Sequence, residues 1–217
     1  MSTEPSRRPL SRERVVRAAL ALIDERGLDQ LTMRRLGAEL GVEAMSLYKH
    51  VEGKEAILDG VRELLLSEFA AALPADDADG DWQAHLGRFA HAYRALGRAH
   101  PEAFGLLARG AERAYLAGGD ITESAIRRLL AAGFDRDTAI RALRTVVRYV
   151  LGTALVDQAA DDAPAPVPAE DLDAITARRP LTGDLMRSLE SGADDALFDF
   201  GLAALLAGLG GMASGRP

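Results

Sequence analysis

Residues 31–57 read LTMRRLGAELGVEAMSLYKHVEGKEAI, and the fold class follows from how this stretch turns. Thr32 is placed to cap a helix, because its hydroxyl can accept from a first-turn N–H that has no partner inside the helix. In the MRRLGAEL that follows, Met33, Leu36 and Leu40 recur at helical spacing on one face. Arg34, Arg35 and Glu39 are left for water or a partner. Gly41 stands where the chain must stop and turn, since glycine takes positive φ without a Cβ clash. Val42 plugs the corner. A second short helix begins at Glu43, and Leu47 and Val51 point back from it onto the first. The pattern predicts a helix-turn-helix, with a connecting helix starting at Lys54.

The outer face of the second helix is then free. It carries Ala44, Met45, Ser46, Tyr48 and Lys49, with His50 at its end. A short helix crossed by a supporting helix fits the major groove, with its first residues at base edges and its flanks at phosphates. A plain helical hairpin would place Tyr48, Lys49 and His50 against a core that has no use for their polar ends. Net charge is −7, which alone argues against a polyanionic partner. Its distribution answers part of that: residues 1–58 hold ten Arg or Lys and nine Asp or Glu, a net of +1, and the remainder is net −8. Acidic charge is segregated away from the reading end.

Working outward, residues 1–10 (MSTEPSRRPL) contain two prolines and no periodicity, which predicts a flexible arm. Arg7 and Arg8 on it are candidates for phosphate or minor-groove contact. Ser11 caps the first helix, whose buried stripe is Val15, Ala18, Ala19, Leu22 and Ile23; Gly27 ends it. The connecting helix covers residues 54–73, with Ile57, Leu58, Val61, Leu64, Leu65 and Phe69 inward. Lys54 at its start is unfavourable for the helix dipole, a cost that a bound phosphate would offset.

The polar PADDADGD of residues 74–81 divides the chain. The division expected is an arm over 1–10, a DNA-binding domain over 11–58 and a second domain over 59–217. Beyond it the spacing gives helices and no strand alternation, so the fold class is all-α. Helices are expected from Trp82 to about His100, over 103–108, 121–132, 137–160, 183–190 and 195–209, with loops at 117–120 and, proline-rich and acidic, at 161–170. In the 137–160 helix, Ile140, Leu143, Val147 and Val150 form a 3-4-3 seam. The last helix is apolar on nearly every side and needs burial. Together these two predict a four-helix interface between copies of the chain.

The order Thr32, Arg34, Leu36, Leu40-Gly41-Val42, Leu47-Tyr48, His50-Val51, Lys54 and Leu58 resembles the DNA-binding domain of the tetracycline-repressor (TetR) family. The second half carries Gly133-Phe134, Ala139, Ala142-Leu143 and Val146, then Leu151-Gly152, Leu155 and Asp157-Gln158. It resembles the ligand-binding and dimerisation domain of the tetracycline repressors. The resemblance implies a homodimeric, ligand-responsive repressor that binds a palindromic operator in double-stranded DNA and is released by a small molecule. It places Thr32, Arg34, Ala44, Met45, Ser46, Tyr48, Lys49, His50 and Lys54 at the DNA, with Tyr48, His50 and Lys54 chiefly at phosphates.

Departures from the family pattern bear on the ligand. In the tetracycline repressors a histidine and a glutamate help hold a magnesium–drug complex. Val156 stands at the matching glutamate position, and Phe89 where an asparagine meets the drug. An apolar side chain cannot ligate a hard cation. The expectation is therefore an organic, largely apolar effector that needs no metal or cofactor. Phe69, Phe89, Tyr93, Phe104, Arg148 and Tyr149 are its candidate contacts, with Tyr93, Tyr149 or Arg148 supplying the polar one. A constitutive DNA-binding protein is the alternative, and would have a solid second core.

Other classes find little support. The four histidines, His50, His85, His91 and His100, make no HExxH or paired-carboxylate arrangement. Gly208–Gly211 is no dinucleotide fingerprint, since it follows a helix. No cysteine is present for a disulfide framework or thiolate site. No signal sequence or membrane span is expected, and the chain reads as cytoplasmic.

Overall fold

The computed structural model describes residues 9–73, 81–161, 167–190 and 194–213, which form twelve α-helices and no strand. The first, α1 (Arg12–Arg26), starts where the Ser11 hydroxyl accepts from the Arg14 N–H at 3.2 Å and stops at Gly27. Its buried face, including Val15, Ala19, Leu22 and Ile23, packs on α4 (Lys54–Ala72) and α2 (Met33–Leu40). Leu10 also packs against this core, so the arm expected over 1–10 does not extend that far. Arg7 and Arg8 lie outside the described residues.

The turn forms as its residues require. Thr32 Oγ1 accepts from the Arg35 N–H at 3.2 Å, Leu36 is fully buried, and Gly41 takes a left-handed conformation at φ 67°, ψ 32°. A second glycine was not foreseen. A Cβ on Gly37 would stand 2.9 Å from the Val42 carbonyl oxygen and 3.1 Å from the Ala44 nitrogen. The bare backbone at Gly37 is what lets α2 cross α3 (Ala44–Leu47) so closely. After this single helical turn, residues 48–50 continue as a turn, and the Val51 N–H returns to the Leu47 carbonyl at 3.1 Å.

The second half contains α5 (Trp82–Ala99), α6 (Pro101–Ala108), α7 (Ala111–Ala117) and α8 (Gly119–Ala131). It continues with α9 (Arg136–Asp161), α10 (Ala169–Arg178), α11 (Pro180–Glu190) and α12 (Asp194–Ala213). At its centre α9 packs on α5, α6, α8 and α12, while α4 runs from the head against α5, α6 and α7. The helix α4 is therefore common to both halves.

Several sequence expectations change here. The loop expected at 117–120 shrinks to Gly118, because α7 and α8 nearly abut; Gly118 is buried near the Leu66 side chain. Of the 161–170 loop, Asp161 closes α9 and Ala169 and Glu170 open α10; residues 162–166 lie outside the described residues, as do 74–80. Most of the α9 seam is not free for a partner; only Ile140 of its four residues is exposed. Leu143 and Val150 are buried within the protomer, and Val147 is half-buried against the same core. The reason is that α9 is surrounded on several sides, so one stripe cannot serve both the protomer and a second copy.

The last helix divides its apolar surface. Phe198, Leu202 and Leu209 are buried, whereas Leu197, Phe200 and Met212 are exposed at 66%, 74% and 62%. Residues Asp195–Ala213 are long and apolar enough to cross a membrane by composition. Here the inner face instead packs on α5 and α9. Arg94, itself buried, lies 4.3 Å from the Phe198 ring centroid and pairs with Asp195 at 2.8 Å and Asp157 at 3.2 Å. The pair α10–α11 packs chiefly on itself, leaving Leu181, Leu185 and Leu189 exposed.

Candidate nucleic-acid interface and ligand cavity

The reading head presents its side chains outward because Leu47, fully buried, anchors α3 from behind. Met45 is 72% exposed and Tyr48 50%, Lys49 is exposed, and Ala44, Ser46 and His50 are half-buried on the same segment. Arg34 is exposed on neighbouring α2. The Thr32 hydroxyl is engaged as the α2 cap. None of the side chains of Arg34, Tyr48, Lys49, His50 and Lys54 forms an ion pair or hydrogen bond among the described residues. Lys54 opens α4 behind Gly53, which offers no capping side chain, so first-turn N–H groups stay available for an acceptor.

A cavity of about 300 Å³ lies in the second half, walled by α4 to α9. Phe69, Phe89 and Tyr93 form one aromatic wall. The Phe69 ring lies 5.0 Å from Phe89, edge-on, and 5.2 Å from Tyr93. Burial pushes the Tyr93 hydroxyl far above its ordinary pKa, so it stays protonated and can only be neutral here. Arg148 also lines the cavity, as do Tyr115, Thr122 and Arg144, which sequence reasoning missed. Tyr115 sits on the unforeseen α7. Arg144 had a legible signal, standing one helical turn before Arg148.

Two expected contacts are corrected. Phe104 is fully buried behind the wall, its ring 5.0 Å from Tyr93, and does not line the cavity. Tyr149 faces the opposite way on α9. Its ring stacks on Phe198, its hydroxyl donates to the Phe198 carbonyl at 2.8 Å, and Gly201 makes room for it.

A magnesium–drug complex of the tetracycline type does not fit these walls. The lining offers the neutral hydroxyls of Tyr93, Tyr115 and Thr122 and two guanidiniums, with no carboxylate and no imidazole. A hard cation needs oxygen donors that carry or share negative charge, and the arginines would repel it. Phe89 is part of the wall, and Val156 is 70% exposed outside it.

Two polar ties bind α4 to its surroundings. Arg62, buried, bonds Asp59 at 2.6 Å and donates to the Leu106 carbonyl on α6 at 3.3 Å. Arg113 on α7 also bonds Asp59, and that hydrogen bond holds the Asp59 carboxyl below its ordinary value. The second tie is His100, whose Nδ1 meets Asp24 of α1 at 2.7 Å and whose Nε2 meets Glu68 of α4 at 2.9 Å. Burial works against the charged imidazole, but the two carboxylates outweigh it and raise the His100 pKa.

A raised folded pKa on a histidine means its contribution is full below the unfolded value of about 6.5 and is lost as pH climbs through the folded value. Urea unfolding between pH 6 and 9 should therefore show falling stability. The His100→Gln variant should lose about 1 kcal/mol at pH 6 and follow a flatter profile, the partners being partly exposed. A variant with the wild-type pH profile would remove His100 from this role.

Comparison with known proteins agrees with this geometry. The family described as "Bacterial regulatory proteins, tetR family" matches residues 15–61, and "Tetracyclin repressor-like, C-terminal domain" matches residues 73–213. The tetracycline repressor protein class G of Vibrio anguillarum is 34% identical over 200 residues, 92% of this chain and 93% of that protein. A variant of TetR from Acinetobacter baumannii AYE, solved in complex with minocycline, is 31% identical with a TM-score of 0.70, covering 95% of this chain and 99% of that one. BioQ of Mycobacterium smegmatis, solved with its double-stranded DNA operator, is 27% identical with a TM-score of 0.67, covering 94% and 99%. With the head matched at one end and the ligand domain along most of the rest, this chain belongs to the TetR family of DNA-binding, ligand-responsive transcriptional regulators.

Proposed function

We propose that the protein is a dimeric, cytoplasmic repressor that holds an imperfect palindromic operator until an organic effector enters the cavity. The observation that carries this is the double role of α4. Its Leu66 and Phe69 line the cavity, and its first residue, Lys54, follows the reading head by a short break. A ligand that repositions α4 changes the separation of the two heads. It can do so only by favouring the released conformation, so its affinity must be lower for the DNA-bound state. In this scheme residues 11–58 are the head and 59–217 the effector and dimerisation domain, with α4 crossing between them. No catalytic step is assigned to any residue.

Ala44, Met45, Ser46, Tyr48 and Lys49 enter the major groove, with Thr32 and Arg34 beside them and Tyr48, His50 and Lys54 chiefly at phosphates. Lys54→Ala should weaken binding to all sequences about equally and lower the salt slope by about one unit per half-site. Substitutions at Ala44 or Met45 should instead change which sequences are preferred. Selection from random DNA followed by salt titration checks both, and no preference for any palindrome would sink the assignment.

A constitutive regulator would have a solid second core, and the cavity favours the gated reading. Calorimetry with and without operator, and with and without a chelator, tests the gate. An effector bound equally well with operator present would refute the switch. Tetracycline binding that disappears when magnesium is removed would refute the metal-free site.

A further inference from the structure

We infer that the effector is an aromatic organic acid, its anionic group held by Arg144 and Arg148 and its ring body against Phe69 and Phe89. This rests on the cavity being the effector site. Arg144 and Arg148 stand one turn apart on α9 and both line the cavity. They are its only charged lining residues, and neither forms an ion pair among the described residues.

Several arginines elsewhere in the chain are neutralised by carboxylates. Arg62 and Arg113 share Asp59, Arg94 meets Asp157 and Asp195, and Arg127 meets Glu123. Two like charges one helical turn apart repel each other, and an anion between them removes that repulsion while forming charge-assisted hydrogen bonds.

The aromatic wall of the same cavity carries a complementary donor. Tyr93 is 5% exposed, and its hydroxyl has no hydrogen-bond partner among the described residues. Kept protonated by burial, it can donate to a carbonyl or hydroxyl oxygen on the ligand. Much of the remaining wall is apolar, with Phe69, Phe89, Leu107 and Val147. The site thus combines two guanidiniums, an apolar wall and the neutral hydroxyls of Tyr93, Tyr115 and Thr122. In a chain of net charge −7, a pair of guanidiniums on the cavity wall also draws an anion that the acidic surface elsewhere repels.

Two fluorescent probes of nearly the same shape test this on the full-length protein: 1-anilinonaphthalene-8-sulfonate, an anion, and N-phenyl-1-naphthylamine, its uncharged counterpart. The anion is expected to bind saturably at one site per chain and at least about tenfold more tightly than the amine. In the double variant Arg144→Gln/Arg148→Gln that preference should fall to about parity, with amine binding retained, and added salt should weaken only the anion.

Equal binding of both probes to the wild type, or a preference unchanged in the double variant, overturns the acid and leaves a neutral-ligand cavity. If the double variant instead dissociates into monomers by sedimentation, the arginines belong to the subunit interface and the inference fails. Val147→Trp, which fills the middle of the cavity, should abolish binding of both probes. Binding that survives it is elsewhere on the protein, and then the cavity itself loses its role as the effector site.

Discussion

Replacing Phe200 or Leu197 with aspartate is expected to leave the protein monomeric and to cut operator affinity by about 10²–10⁴-fold. Leu197, Phe200 and Met212 are exposed on α12, with the small residues Ala204, Gly208 and Gly211 on its exposed surface between them. A contiguous exposed apolar strip of this kind marks an interaction surface, and its small residues let a second helix approach closely. Ile140, Leu155 and Val156 on α9 are also exposed and extend the apolar surface a partner would cover. A charge introduced there would be desolvated and unpaired on association. The affinity falls so far because joined heads make the second half-site contact intramolecular, and separate heads do not. Since Phe200 is exposed within the protomer, helix content by circular dichroism should be unchanged in the variant. Sedimentation and operator titration read the rest; a Phe200→Asp protein that stays dimeric at micromolar concentration would remove α12 from the interface.

Gly37→Val is expected to abolish operator binding while leaving effector binding and dimerisation intact. Two effects oppose each other at this position. A side chain raises helix propensity, by up to about 1 kcal/mol for alanine and less for a β-branched residue. Against that, its Cβ would lie 2.9 Å from one backbone atom and 3.1 Å from another, and backbone cannot rotate aside. Overpacking of this kind costs about 1–3 kcal/mol, so the clash wins and α3 is pushed off α2. The displaced α3 carries Met45 and the start of the Tyr48–Lys49 segment out of register with the groove. Fluorescence anisotropy on operator DNA measures the loss, and probe binding and sedimentation serve as controls. Wild-type operator affinity in this variant would show that the close crossing does not position the reading head.

The all-helical class was written locally. Capping by Ser11 and Thr32, the left-handed turn at Gly41 and the apolar periodicity of α1, α4, α5 and α9 depend on neighbours within a few residues, and each formed where its pattern stood. The exposed reading face was legible for the same reason, since a short helix with Leu47 inward leaves Met45, Tyr48 and Lys49 outward by geometry alone. The four-residue extent of α3, the one-residue break at Gly118 and the helices α7 and α10 were not legible. Short helices are marginal by themselves and form only because packing stabilises them.

Residues with more than one possible neighbour were decided by the tertiary structure. Phe69, Phe89 and Tyr93 had the composition of either core or cavity lining, and only the placement of α7 and α8 made them a wall. Phe104 and Tyr149 had the same composition and went to the core and to α12. Leu143 and Val150 read as an intersubunit seam, but α5, α6, α8 and α12 surround α9 and cover them first. His100 became a tie between α1 and α4 only when chain segments 76 and 32 residues away brought Asp24 and Glu68 to its two nitrogens. Local hydrogen bonding and periodicity are properties of a segment and can be read from it. Which of several apolar or charged groups meet is set by the packing of distant segments, which no single stretch of this sequence contains.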